Sequence, residues 1–447
     1  MQTIHRFPHP AGWPFFYGYV VVIAGTLGII MSAPGQTIGV SVFTDPLLDA
    51  LVLSRSQLSL AYLVGTLASG LIIARAGRLY DRYGGRVLAA ASSAALAVVL
   101  VYMAATPTIA ARLGSVFAPQ ARLAVTFSVL AVGFFLLRFS GQGMLTLASR
   151  TMVMEWFAAR RGMANAVMGV SLSFGFSAAP AAFDALIQRN GWQGAWRILA
   201  LVSAGFALVA WLVFRRRPED YDLVPDGPAA RAAAGGDSRH HGRDFTLREA
   251  QRTYTFWVFA LVLVLAGALI TAFTFHIVSI FGDAQLSRDR AVAVFIPAAF
   301  VSVGVGIVGS LISDYIKLKY LAMVSTAGAA LLCLWLSVPT HAAAYWGVVA
   351  GLGLMQGMFG ILSNVSWPRF FGRGNLGAIS GFAAALMVIG TALGPYLFSF
   401  ARDVSGSYRA AALAGAVVAV ALTVAAGWAE RPQALSSDGA HSRGKTR

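Results

Sequence analysis

Two stretches of this chain carry the same skeleton. Near residue 162 it reads RGMANAVMGVSLSFGFSAAP, and near residue 376 it reads LGAISGFAAALMVIGTALGP. Gly162, Gly175 and Pro180 recur as Gly377, Gly390 and Pro395 at one fixed offset. Upstream, Gln142, Gly143, Trp156 and Phe157 recur as Gln356, Gly357, Phe370 and Phe371 at nearly the same offset. Both copies are too apolar to live in water. A duplicated membrane domain predicts two matched halves with a cleft between them, the layout a secondary transporter needs.

Of 447 residues, 57% are hydrophobic and only 12% charged. Soluble domains run near one quarter charged. A crossing of the bilayer needs roughly 20 apolar residues. About twelve such stretches occur, at about 15–43, 56–76, 86–105, 123–149, 161–187, 195–214, 254–281, 290–313, 319–338, 342–367, 375–401 and 408–429. None alternates like a strand, so helices and not a barrel are expected. The expected fold is an all-α membrane protein of twelve transmembrane helices in two pseudo-symmetric six-helix bundles.

The formal net charge is +16, but its placement speaks against nucleic acid. Arg75, Arg78, Arg82 and Arg86 follow span two, Arg160 and Arg161 follow span four, and Arg215, Arg216 and Arg217 follow span six. These loops share one side if both ends do. The bias sets orientation and puts both termini in the cytoplasm of a bacterial inner membrane. The one cysteine, Cys333, lies within an apolar span and can form neither an intrachain disulfide nor a metal set. The opening MQTIHRFPHPAGW lacks the layout of a cleavable signal, so span one is expected to be retained.

The expected organisation is an N-terminal six-helix bundle at 1–214, a cytoplasmic linker at 215–252, a C-terminal six-helix bundle at 253–430 and a disordered cytoplasmic tail at 431–447. The linker is rich in Arg, Gly, Ala, Asp and Pro. Its last part, FTLREAQRT, reads as a short amphipathic helix on the membrane surface. Glycines at helical spacing, among them Gly35 and Gly39 in span one and Gly390 and Gly394 in span eleven, let helices approach closely. Pro34, Pro180, Pro297 and Pro395 should bend their helices by removing a backbone donor.

The loop after span two, GRLYDRYGGR, resembles the cytoplasmic signature of the major facilitator superfamily. Gly77, Leu79, Asp81, Arg82, Gly84 and Arg86 match it. Glycines permit a tight turn between two helices. An aspartate can sit against a helix N-terminus, and arginines supply breakable ion pairs. The resemblance implies a gate in which Gly77, Asp81, Arg82, Gly84 and Arg86 take part and Asp81 meets the start of span eleven near Gly374 and Asn375. A degenerate second copy, SLISDYIKLK with Asp314 and Lys317, sits where the repeat predicts it. The run EWFAARRGMANAVMGVSLSFG, with FFYGYVVV, VFTDPL, SRSQLSLAY and RRRPEDYDLVPDG, is similar to the monocarboxylate-transporter and oxalate/formate-antiporter branch. That likeness implies alternating-access transport of a small organic anion, a monocarboxylate, with a proton as candidate partner.

Arg138 in LRFSGQG falls inside span four, and an intramembrane arginine normally faces a wet cavity or a partner. It is an anion anchor or a group tuning a nearby proton carrier, or it bonds backbone carbonyls between helices. Span eight carries no charge and span eleven no lysine, which leaves Arg138 as the fixed cation. Gln36, Tyr62, Gln142, His276, Gln356 and Asn364 are the other candidate substrate-binding groups, because buried amides need partners. His276 and Asp184 are the candidate proton carriers. Clustered His, Asp or Glu within spans, the requirement of a membrane enzyme, are missing. GAHSRGKT fits a phosphate-loop pattern but follows no strand, and His240 and His241 have no ligand set. No cofactor, no metal and no ATP are expected, and the expected partners are membrane lipid and a small solute, bound by a monomer. The alternative reading is an exporter of hydrophobic drugs or metabolites.

Overall fold

The computed structural model describes residues 10–157, 161–215, 217–224, 245–313, 315–338, 342–372 and 376–430. At 11, 74–78, 81, 161, 162, 165, 342, 343, 376 and 377 it describes the backbone alone. Most of the expected linker, and the expected tail at 431–447, lie outside these residues.

Every regular element among the described residues is helical. In lipid only a helix satisfies its own backbone within one segment, so this follows from the apolar composition. Among the described residues, eleven stretches are long and apolar enough to cross a membrane. The spans are Gly18–Gly35, Arg55–Ile73, Arg82–Ala104, Pro119–Trp156, Ala166–Val213, Tyr254–Asp283, Arg288–Ser313, Leu318–Ser337, Ala344–Phe371, Ala378–Ser405 and Arg409–Gly427. Ala166–Val213 has 48 residues. At 1.5 Å per residue it would run about 72 Å, over twice the hydrocarbon thickness of about 30 Å. It therefore crosses twice, and it turns at Gly191, where φ is +68° and ψ 163°. Twelve crossings result, as the sequence predicts. They are numbered one to twelve, five and six being the two parts of Ala166–Val213.

Glycine makes the same reversal elsewhere. Gly84 has φ +80° and ψ 164° between spans two and three. Gly406, with φ +75°, separates spans eleven and twelve. Gly191 follows Gly175 at the same distance as Gly406 follows Gly390, so both copies of the repeat turn at the same point. Side chains adopt this backbone region rarely, and glycine adopts it freely. Helix starts are capped by hydroxyls. Ser54 accepts from the Gln57 amide while the Gln57 side chain accepts from the Ser54 amide. Thr253 and Ser287 cap spans seven and eight.

The buried apolar residues form three clusters. One runs from Tyr17 to Phe214 and takes in Phe275 and Val292 of the second half. Two others draw on residues between Ala250 and Ala429. Outward faces carry bare aliphatic side chains, such as Leu71, Leu201 and Val417. Such surface suits contact with lipid, because soluble monomers rarely leave large apolar patches open. The segment read as an amphipathic helix contains one at Leu247–Gln251, with the Thr246/Glu249 capping box at its start. It is tied to the bundle: the Phe245 amide donates to the Phe371 carbonyl at 2.9 Å, and the two rings pack edge to face.

The first span begins and the last span ends at one end of the molecule, here called the terminal end. Tyr17 donates to the Val213 carbonyl there at 2.6 Å, and Thr255 to the Glu430 carbonyl. Described polar contacts between the halves cluster at the opposite end. Arg288, at the start of span eight, donates to Asp184 of span five at 2.5 Å and to the Val42 carbonyl at 2.8 Å. Asp45 lies 3.9 Å from Arg288 and 2.7 Å from Arg55. The Ser56 amide reaches Asp403 at 3.3 Å.

Candidate functional site

Span one does not cross as a straight helix. Its first part ends at Met31, Ala33–Gly35 is a 3-10 turn containing Pro34, and Gln36 is extended (φ −89°, ψ 158°). Proline supplies no amide donor, which ends the regular pattern here. At the same depth span four widens to a π-helix over Arg138–Leu145. π-Turns often mark functional positions. The two irregular segments touch backbone to backbone. A Cβ added to Gly35 would meet the Leu137 carbonyl at 2.6 Å and the Gly141 Cα at 2.9 Å. Only glycine at this crossing brings the Gly35 carbonyl within reach of the Arg138 side chain.

Arg138 is 2% exposed. Its Nη1 donates to the Thr37 hydroxyl at 3.3 Å and to the Gly35 carbonyl at 3.4 Å, both long bonds. Its Nε is buried without a partner. The guanidinium stands 5.3 Å from the centre of the Tyr62 ring, and the Tyr62 hydroxyl is 2.6 Å from that of Thr37. No carboxylate pairs with Arg138 among the described residues. Ring and dipoles together offset part of the burial of a cation, but they leave its charge in place.

Arg138 lines a cavity of about 440 Å3 between the two halves. Gln36 and Thr37 of span one, Gln142 of span four and Gln356 of span ten line it as well. Gln142 and Gln356 are counterparts in the repeat, and neither side chain makes a hydrogen bond among the described residues. Gln36 is committed: its amide donates to Ser32 at 3.0 Å and to Thr146 at 3.4 Å. Thr271 is committed too. Pro395 has no amide to offer the Thr391 carbonyl one turn back, and Thr271 donates to that carbonyl at 2.9 Å. The rest of the lining combines the hydroxyls of Ser173, Ser177, Thr274 and Ser302 with apolar side chains, Ile38, Phe176, Ile270, Phe295 and Phe359 among them.

A second cavity of about 730 Å3 adjoins the first along spans five, eight and ten. Ser302 and Gln356 border both. It reaches Ser313 and Val365, so it runs toward the terminal end. The ion pairs at the opposite end close the other exit.

The residues singled out in the sequence therefore separate. Arg138, Gln36, Gln142 and Gln356 meet at the central cavity, and Asn364 lines the second one. Tyr62 is fully buried beneath Arg138. His276 lines neither cavity. It is 1% exposed, its Nε2 lies 2.8 Å from the Pro395 carbonyl, and its Nδ1 has no partner. Asp184 is held by Arg288 at the opposite end. Arg82 and Gly84 border a cleft of about 210 Å3 at the terminal end, with Tyr80, Glu155 and Arg217. There Glu155 accepts from Tyr80 at 2.7 Å and from Arg217 at 3.0 Å, a bond that raises the Arg217 pKa above its usual value. Arg86 donates to the Trp211 carbonyl at 2.6 Å and stacks on its ring. Gly77 and Asp81 lie on the helix Arg55–Ala104, but their side chains fall outside the described residues, as do Asp314, Gly374 and Asn375.

The π-turn at Arg138 and the committed hydroxyls of Thr37 and Thr271 have no sequence signature. Gly35 hinted at the close crossing, since small residues mark helix contacts.

The model of the Major Facilitator Superfamily matches residues 15–395. No curated protein matches the chain in sequence. Solved structures of similar fold include a bacterial homologue of the human lysosomal transporter Spinster, inward-facing and unoccupied. It is 16% identical over 93% of this chain and 92% of that one, with a TM-score of 0.62. A D-xylose–proton symporter is 16% identical over 91% and 97%, with a TM-score of 0.63. The nucleoside transporter NupG is 15% identical over 94% and 100%, also with a TM-score of 0.63. At such identities the likeness is one of fold.

Proposed function

Since the chain belongs to the Major Facilitator Superfamily, and is a membrane transporter rather than an enzyme, we propose that its solute is a small organic anion, a monocarboxylate, held by Arg138. The observation that carries this reading is the buried Arg138 guanidinium on the cavity wall with no carboxylate partner among the described residues. A carboxylate placed there would supply the missing charge and two strong acceptors. Gln142 would offer it a further amide donor from the next turn of span four.

The halves at 1–214 and 253–430 rock about this site, and the cavity opens to each side in turn. Basic residues at the terminal end, including Arg82, Arg86, Arg215 and Lys319, support a cytoplasmic position for that end in a bacterial inner membrane. On that orientation the structure is inward-open, with its outer exit closed by Arg288, Asp184 and Asp45. The inner gate forms in the other state around Asp81, Arg82 and Arg86. One chain lines the whole cavity, which supports a monomer as the working unit. The cavity walls bring no carboxylate or histidine among the described residues, so His276 and Asp184 would have to act from outside it if a proton is moved. A solute gradient alone is compatible with the lining.

The apolar walls favour a second reading, an exporter of hydrophobic compounds. Arg138 counts against lipophilic cations, because bringing a second cation beside an unpaired one is unfavourable at low dielectric. The test is uptake of labelled monocarboxylates into proteoliposomes by the wild type and by Arg138→Gln. Loss of uptake in a correctly folded variant supports the anchor. Unchanged uptake rejects it, and resistance to lipophilic cations in cells would then favour the exporter.

A further inference from the structure

Several polar residues of the lining are tied up within the protein and cannot meet a solute. The Thr37 hydroxyl is tied to Tyr62 and Arg138. Thr271 is tied to the Gly267 and Thr391 carbonyls, and Thr391 to that of Val388. The Gln36 amide is tied to Ser32 and Thr146. A threonine whose hydroxyl is bonded to backbone turns its methyl group to the cavity. What remains is one cation at Arg138 with Gln142 beside it, the hydroxyls of Ser173, Ser177 and Thr274, and neutral groups at Gln356 and Ser302 in the other half. Between these poles stand apolar walls from Ile38, Phe176, Ile270, Phe295 and Phe359.

Resting on the anion reading above, we propose that the site selects an amphipathic monoanion: one carboxylate on Arg138, an apolar or aromatic body across the cavity, and a neutral hydrogen-bonding group at the far end on Gln356. Two exclusions follow. A dicarboxylate would bury its second charge against walls with no second cation among the described residues. A very short acid would satisfy Arg138 and leave the apolar walls facing water.

The test uses four probes on the full chain in detergent: acetate, benzoate, 4-hydroxybenzoate and terephthalate. Binding is read by ligand-induced thermal stabilisation over a concentration series. Benzoate should bind at least about tenfold more tightly than acetate, from burial of its ring. 4-Hydroxybenzoate should gain a further factor of about two to ten from one added hydrogen bond. Terephthalate should bind at least about tenfold more weakly than benzoate, since its second charge finds no partner. Gln356→Met should erase the advantage of the hydroxyl and keep that of the ring. The wild-type series decides even if that variant does not fold. Acetate equal to benzoate, or terephthalate equal to 4-hydroxybenzoate, overturns the proposal while the anion reading stands. If no carboxylate binds, or if Arg138→Gln leaves the whole series unchanged, the anion reading itself fails.

Discussion

Replacing Asp184 with asparagine should open the end of the molecule that is closed here. Asp184 is 5% exposed on its side chain and Arg288 26%, with 2.5 Å between them. A fully buried pair costs about 3–5 kcal/mol to break from one side, and an exposed pair about 0–1 kcal/mol. This pair lies between those limits. Asparagine keeps the shape, and Arg288 keeps the Val42 carbonyl and its longer approach to Asp45. A loss of about 2 kcal/mol for the closed arrangement is a balanced figure, and it raises the open population about thirtyfold at 1.36 kcal/mol per decade. The contact exists only between halves, so its loss acts on the closing equilibrium more than on either core. The assay is the distance between spin labels at Val52 and Val404, which are 88% and 73% exposed and flank the closed end. Cys333 is replaced by alanine so that each label is unique. Asp184→Asn should add a long-distance component to the distribution. A distribution identical to the wild type, in a protein that melts normally, would refute the role of this pair in closure.

Other outcomes follow from the same contacts. Gly35→Ala should lower the melting temperature, because its Cβ would meet the Leu137 carbonyl at 2.6 Å and overpacking costs about 1–3 kcal/mol. Gly169→Ala, with nothing within 4 Å of the added carbon, should leave the melting temperature unchanged. Thr271→Val should cost about 1 kcal/mol in chemical unfolding, since it strips a hydrogen bond from the carbonyl that Pro395 leaves unpaired. His276→Gln should leave the pH profile of uptake as it is in the wild type, because the imidazole bonds to the Pro395 carbonyl and lines neither cavity; a shifted profile would count against that expectation.

The number of crossings was legible because length and hydropathy alone set it. The span boundaries came close for the same reason. The repeat foretold that Gln142 and Gln356 stand at corresponding places, and both reach the central cavity. Which polar groups were spoken for was not legible. Gln36 and Gln142 look alike in sequence, yet Ser32 and Thr146 hold the first and leave the second open. That depends on the break at Pro34 and on the π-turn in span four, and hydrophobic periodicity encodes neither. Asp184 and Arg288 are separated by two crossings and the linker, and no local pattern joins them. His276 reads from sequence as a titratable group within a span. Its Nε2 meets the Pro395 carbonyl of span eleven, a partner 119 residues away in sequence.

The central claim is that one unpaired cation, in a cavity between the halves, holds the solute. The direct measurement is the rate at which a membrane-impermeant maleimide labels Gln142→Cys in a Cys333→Ala background, with and without benzoate. The label should react, benzoate should slow it, and the added change Arg138→Gln should abolish that protection while leaving the bare rate similar. A cysteine at 142 that never reacts, or protection that survives the loss of the Arg138 charge, would contradict the account.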